Sequence, residues 1–287
     1  MSRFNLPFCA ALLMFFFVPR AVYAWGDNGH KIICEIAFQE LTPAARREVL
    51  RLIELDQEFR YFNDSCAWPD HPRQRRSEHY VNLPRDAKML TKACPEADKC
   101  VVSAIMSDIR ELALAQDDQK KLETLKFLGH WVGDVHQPMH VSFSDDRGGN
   151  SIKESGPCSN NLHSVWDTCI IEQGLGDDPL EIADTLYKSI SNADRQSWTG
   201  TEVDLDAVIG WANESFAITT SPDVEYCVQK ADGCWYSDEE RTFQIHDEEK
   251  TVRVDQAYID RHAGTVKKRL QMAGVRLGAI LNQLFAE

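Results

Sequence analysis

Apolar residues recur along this chain at spacings of three and four. Between Ile32 and Leu41 they fall at 32, 33, 36, 37 and 41, and Thr42-Pro43 then opens a segment carrying Val49, Leu50, Leu52 and Ile53. Val101 to Ala115 repeats at 101, 102, 105, 109 and 112, and Leu122 to Val135 at 122, 125, 128, 132 and 135. The longest stripe, over 254–285, is apolar at 259, 263, 266, 270, 273, 277, 280, 281 and 284. Such spacing lays one apolar face along an α-helix. Alternating, strand-like runs are short and few, so the pattern predicts a mainly α, single-domain, compact multi-helix fold. Three stretches, 56–95, 141–160 and 221–250, lack the periodicity and hold most of the Pro, Gly, Asp and Cys. Loops this long in a compact domain are functional or tied down.

The first residues read as a targeting segment rather than fold. Met1 to Arg3 form a short basic end, Phe4 to Val18 are almost wholly apolar, and Val22 and Ala24 are small residues at the positions a signal peptidase reads. The apolar run is too short for a membrane span, which needs ~20 residues, and no later segment is apolar enough. The expectation is a signal peptide over 1–24, cleaved between Ala24 and Trp25, and a mature domain over 25–287 that is secreted or periplasmic without a membrane anchor.

Cleavage changes the remaining counts. Cys9 leaves, and the other eight cysteines form an even set, which in an exported chain favours disulfides. Cys94/Cys100, Cys158/Cys169 and Cys227/Cys234 are neighbours in sequence. Connectivity stays open, with Cys34 and Cys66 only what remains. No CxxC pair supports a cysteine zinc site. Lys and Arg fall from 31 to 29 against 45 Asp and Glu, so the net charge moves from −14 to −16. Proteins that bind nucleic acid normally neutralise phosphates with Lys and Arg. A polyanionic substrate would therefore need positive charge from elsewhere, and bound metal ions would supply it.

The candidate chemistry begins at His130-Trp-Val-Gly-Asp134-Val-His136-Gln-Pro-Met-His140. His130 and Asp134 lie four apart on a predicted helix and share a face. Pro138 ends that helix and turns His140 back toward the same space. His163-Ser-Val-Trp-Asp167 repeats the spacing. Imidazole with carboxylate is the ligand set of zinc sites that keep an open position for water. One such pair alone is commonly a surface ion pair; two pairs and a third histidine are not so easily dismissed. Four further features join them: Trp25-Gly-Asp-Asn-Gly-His30, Ala67-Trp-Pro-Asp70 followed by Arg73, His79-Tyr80-Val81-Asn82, and Asp146-Arg-Gly-Gly-Asn150.

This ordered set resembles the S1/P1 nucleases, relatives of the zinc-dependent bacterial phospholipases C, across essentially the whole mature chain. The resemblance implies the helical phospholipase C/P1 nuclease fold with disulfide-tied loops, and three zinc ions in a cleft. His130, Asp70, His79 and Asp134 would hold the first; His140, His163 and Asp167 the second. The third would take His30, the bridging Asp134, and the free amine and carbonyl of Trp25, so cleavage after Ala24 would complete the site. Three divalent ions bring about +6 against three carboxylates, leaving roughly +3 where a phosphate sits. The implied activity is an endonuclease acting on single-stranded DNA and RNA to give 5′-phosphorylated products, with 3′-nucleotidase activity. A hydroxide bridging two zincs would attack phosphorus, the third zinc would stabilise the leaving 3′ oxygen, and Arg73 would contact the transition state. Arg75 and Arg76 extend a local basic run.

Tyr80 matches an aromatic residue that stacks on the base, and Asn82, Gly148 and Asn150 would surround it. Fungal members often carry aspartate where this chain has Asn82. His136 is expected to support the helix end, and His71, His246 and His262 lack ligand-like context. A phospholipase C on the same scaffold is the nearest alternative, but those relatives carry a bridging Glu where this chain has Asp134. A non-catalytic exported zinc-binding protein is another, although no expected ligand is lost here. A monomer is expected.

Overall fold

A computed structural model describes residues 25–158, 161–200, 202–237, 239 and 250–286. The expected signal peptide and His246 lie outside the described residues. The helices run α1 (Asp27–Glu40), α2 (Pro43–Ile53), α3 (Phe62–Ser65), α4 (Val101–Leu114), α5 (Asp118–His136), α6 (Leu162–Ser164), α7 (Ile170–Gly174), α8 (Pro179–Ser189), α9 (Asn192–Trp198), α10 (Leu205–Thr219) and α11 (Gln256–Leu284). The apolar stripes read from the sequence fall on α1, α2, α4, α5 and α11. Beyond them, α10 buries Val208, Trp211, Ala212 and Phe216 at the same spacing, and α8 buries Ile182, Ala183 and Leu186. The fold is mainly α, as the periodicity predicts.

Local chemistry sets the helix ends. Thr42 caps α2 by accepting from Ala45 N at 3.3 Å, with Pro43 in the first turn where its missing N–H costs nothing. Asp117 caps α5 and Asp255 caps α11, accepting from Lys120 N at 2.8 Å and Tyr258 N at 3.1 Å. Helix α5 is the centre of the molecule. It packs against α4, α10, α11 and α1, and every residue from Thr124 to His136 is buried. A helix covered on all sides needs no polar face, so the polar groups it does carry require partners.

The strands are three residues long, and two of the three pairings join distant parts of the chain. In β1 (Val81–Leu83) and β2 (Val141–Phe143) the pairing is parallel, with Val81 opposite Val141 and Leu83 opposite Phe143. Strand β3 (Lys153–Ser155) pairs with β6 (Thr251–Arg253), and β4 (Val228–Lys230) with β5 (Gly233–Trp235). All but β6 lie in the aperiodic stretches, and β6 directly follows the last of them. Disulfides link Cys34 to Cys66, Cys94 to Cys100, Cys158 to Cys169 and Cys227 to Cys234, a pattern suited to an oxidising compartment. No described helix is long and apolar enough to cross a membrane.

Candidate metal centre

Helix α5 places His130 and Asp134 one turn apart in the core. It stops at His136, and the turn Pro138–His140 returns His140 to the same side. Strand β1, held beside β2, brings His79 in at its start. Helix α1 supplies His30, whose ring stacks on that of His130 with centroids 3.8 Å apart. That approach depends on Gly133: a Cβ there would lie 2.8 Å from His30 Nδ1. Trp25 is fully buried and its indole N–H donates to Gly133 O at 2.8 Å, while Gly26 N donates to Asp167 O at 2.9 Å. Residues 25 and 26 are thus pinned against the cluster.

The eight His and Asp side chains expected as ligands fall into three buried groups: His30, His130 and Asp134; Asp70, His79 and His130; His140, His163 and Asp167. Asp134 faces two ways. Its Oδ2 lies 3.3 Å from both His79 Nδ1 and His130 Nε2, and its Oδ1 lies 3.5 Å from His30 Nε2 and 3.6 Å from His140 Nδ1. Asp70 sits 3.6 Å from His79 Nδ1 and 3.7 Å from His130 Nε2. Asp167 Oδ2 is 3.3 Å from His163 Nε2. Asp167 lies on a widened π-helical turn over Val165–Cys169, directly after the turn that carries His163, a geometry found mostly at functional sites.

The ring tautomers test whether a cation fits. His130 Nδ1 donates to Cys66 O and His79 Nε2 to Gln74 O, both at 2.8 Å. The remaining nitrogens, His130 Nε2 and His79 Nδ1, are therefore unprotonated lone-pair donors, yet they face each other at 3.1 Å. His163 Nδ1 donates to Gly148 O at 2.7 Å and His140 Nδ1 to His79 O, which leaves the two Nε2 atoms 3.2 Å apart. Lone pairs so placed repel unless a cation lies between them. Both nitrogens of His30, both oxygens of Asp134 and Asp167 Oδ2 are buried without a hydrogen-bond partner. Orphaned polar atoms of this kind, carboxylate oxygens and an imidazole lone pair among them, fit metal ions.

Burial sets the ionisation of the cluster. Desolvation, aided by neighbouring rings and cations, pushes His30 and His79 down to about 3 and His163 to about 4, and holds His130 and His140 well below the usual range. The rings are neutral, the form that binds metal. Burial also pushes Asp134 and Asp167 well above the ordinary carboxylate range, so ionised carboxylates here need a cation. Chelation at pH 7 should therefore lower the Tm by ~10 °C: a ligand at a thousand times its Kd contributes ~4 kcal/mol, and each kcal/mol moves Tm by ~2–4 °C at this size. Calorimetry before and after chelation checks it, and an unchanged Tm would oppose a resident metal. The depressed imidazoles bind protons in the unfolded chain before the folded one. Their contribution is present above about 6.5 and is lost as pH falls toward 3.

A cavity of about 370 Å³ opens beside His140 and His163. Arg73, Tyr80, Asn82, Gly148 and Asn150 line it, and so do Met139, Ser144 and Arg147. Those last three are neighbours of motif residues and carry no signal of their own in the sequence. Gly148 (φ +66°) is a left-handed position where a Cβ would also meet Met139 O at 2.7 Å, while its carbonyl holds His163. Buried Asp146 anchors this loop, accepting from Gly149 N at 3.0 Å, Arg85 Nη2 at 2.8 Å and the Tyr226 hydroxyl at 2.6 Å. Asn150 donates to Arg147 O at 2.7 Å, and its buried Oδ1 has no partner.

The arginine run does not act as one patch. Arg73 lines the cavity, with Nε 3.7 Å from Asp70 Oδ1. Arg75 is pinned to Glu78 and, at 2.6 Å, to Asp108, with its guanidinium over the rings of Phe127 and Trp131. It is structural. His71 pairs with Asp27 at 2.8 Å and His262 with Asp223 O at 2.9 Å, both outside the ligand groups. His136 is buried, donates to Val132 O at 2.7 Å, and accepts from Arg276 at 2.8 Å.

Three groups of buried imidazoles and carboxylates that could each hold a metal ion lie together, and His140 and His163 of the third group open onto the cavity. Residues 25–286 match the S1/P1 nuclease family, and the chain belongs to it. Members are metal-dependent nucleases, hydrolases of phosphodiester bonds. Endonuclease 2 of Arabidopsis thaliana is 31% identical to this chain over 92% of it and 91% of the relative. Nuclease S1 of Aspergillus oryzae is 27% identical over 68% of this chain and 72% of the relative. Nuclease P1 of Penicillium citrinum is 26% identical over 69% and 76%.

Proposed function

We propose that the chain is a zinc-dependent endonuclease that cleaves single-stranded DNA and RNA to 5′-phosphorylated products and also acts on 3′-nucleotides. The observation that carries this reading is the ligand row meeting in Asp134 directly beside the cavity that Tyr80 and Arg73 share. The N and O donor set suits zinc. His130, His79, Asp70 and Asp134 would hold one ion, His140, His163 and Asp167 a second, and His30, Asp134 and the Trp25 main chain a third. Zinc bound here lowers the pKa of water toward neutrality and shields phosphoryl oxygens.

The protein's own groups position the substrate. Arg73 offers a planar fork of donors to a phosphoryl oxygen. Tyr80, 37% exposed, presents a ring on which a base stacks, worth ~1–3 kcal/mol for any base. A duplex hides its base faces, so this contact selects single strands. Asn82 and the unpartnered Oδ1 of Asn150 meet the base edge. Residues 1–24 are removed on export, which leaves residue 25 with a free amine; with Ala24 attached that nitrogen is an amide and does not ligate.

The test is release of acid-soluble nucleotides from single-stranded DNA and RNA by the chain beginning at Trp25, beside one that retains Ala24, with zinc measured on both. Hydrolysis with about three zinc ions, and a loss of one ion and ~10–100-fold in rate on retaining Ala24, is the expected result. Full zinc without hydrolysis would sink the nuclease reading.

A further inference from the structure

Tyr80, Asn82 and Ser144 border not one cavity but two. The second, of about 440 Å³, lies on their other side and is walled by the segment that the Cys94–Cys100 disulfide closes, including Pro95, Ala97 and Lys99. None of the eight clustered His and Asp side chains lines it. Whatever binds there does not reach the metal groups, but it adjoins the molecule that does. The volume is in the range of a small-molecule site. Its charges nearly cancel. Glu96 accepts from the Ser144 hydroxyl at 2.8 Å. Lys99, 71% exposed, has only a 3.7 Å contact with Glu78. A net-neutral recess with an apolar disulfide and proline wall suits a nucleobase, and an exposed ammonium at its rim suits the backbone phosphate that accompanies it.

We infer that this second cavity is a subsite for the next nucleotide of a single strand, on the side of Tyr80 away from the scissile bond. The inference rests on the nuclease reading of the first cavity. The strand crosses the Tyr80 ridge, with one base beside the metal groups and its neighbour against the Cys94–Cys100 wall. The site then binds a strand by length rather than by sequence, because stacking and a single cation carry no base code.

The experiment uses a deoxyadenylate dinucleotide and the trinucleotides that extend it at one end or the other. The protein begins at Trp25 and is compared with Lys99→Ala and Ala97→Trp, both exposed positions on the far wall. Hydrolysis is measured on the zinc-loaded protein and binding by calorimetry on the chelated protein. One of the two extensions should raise kcat/KM and tighten Kd by about tenfold, within what one stacked base contributes. Ala97→Trp should erase that gain by filling the recess, and Lys99→Ala should reduce it most at low salt. The dinucleotide serves as the internal reference. No gain on either extension, or a gain that survives Ala97→Trp, overturns the subsite. A length-dependent Kd without hydrolysis of any substrate would retire the nuclease reading and leave the subsite standing. Absence of both binding and hydrolysis removes both.

Discussion

Asp134→Ala is expected to reduce hydrolysis of single-stranded DNA by about a thousandfold or more, the largest loss of any single substitution in this chain. Asp134 is the one carboxylate whose two oxygens face different ligand groups, 3.3 Å from His79 and His130 on one side and 3.5 Å from His30 on the other. Its loss weakens two of the three side-chain groups at once. A metal's electrostatic contribution is several kcal/mol, and ~4 kcal/mol corresponds to about a thousandfold in rate. The same variant, freed of metal, should be no less stable than the parent. Burial already penalises the ionised carboxylate, so removing it relieves the metal-free cluster. Activity and bound zinc are measured together with the chelated Tm. A rate within tenfold of the parent, or a collapse of the chelated Tm, would show that Asp134 serves the fold rather than the centre.

The sequence carries the part of this site that lies on one helix. His130 and Asp134 are four residues apart on α5, and Pro138 is a sufficient reason for the chain to stop and return His140. Ordinary helical geometry places these three without knowledge of the rest. It fails at His79, Tyr80 and Asn82. They meet the α5 groups because β1 pairs in parallel with β2, across about sixty residues, and three-residue strands leave no periodicity to read. Trp25 touches Gly133 over a separation of 108 residues, a contact that no local rule reaches. Composition misleads at Arg75: beside Arg73 and Arg76 it reads as one of three phosphate-binding cations, but the nearby buried Asp108 claims it. The second cavity is invisible for the same reason as the first one's Ser144. Its lining gathers residues of ordinary type from β1, a disulfide loop and the turn after β2.

The support behind the ligands gives the second large effect. Helix α5 ends inside the protein, where its last carbonyls are buried and have no helical partner. Neighbouring helices satisfy them and the turn that follows: Ser215 Oγ donates to Val135 O at 2.6 Å, Arg269 Nε to His136 O at 3.1 Å, and the Thr219 hydroxyl to Pro138 O of the turn. Arg269 is itself buried, which pulls its guanidinium down to about 10, and Glu214 offsets the cost at 2.7 Å while also holding Arg276 at 2.6 Å. Arg276 in turn donates to His136 Nε2 at 2.8 Å. The turn that carries Asp134 on one side and His140 on the other is therefore fixed from α10 and α11. Arg269→Met should cost about 3 kcal/mol in the urea unfolding of the metal-free protein, toward the lower figure for a broken buried pair. The lower figure applies because the Glu214 side chain keeps 38% exposure. Zinc affinity should fall with it, because the ligands lose their alignment. Adding Glu214→Leu should cost less than the two changes summed, since Glu214→Leu alone strands the buried Arg269 charge, whereas Arg269→Met leaves Glu214 paired with Arg276. Full additivity, or a loss under ~1 kcal/mol for Arg269→Met, would mean that water takes over these carbonyls and that α5 holds the ligands without help.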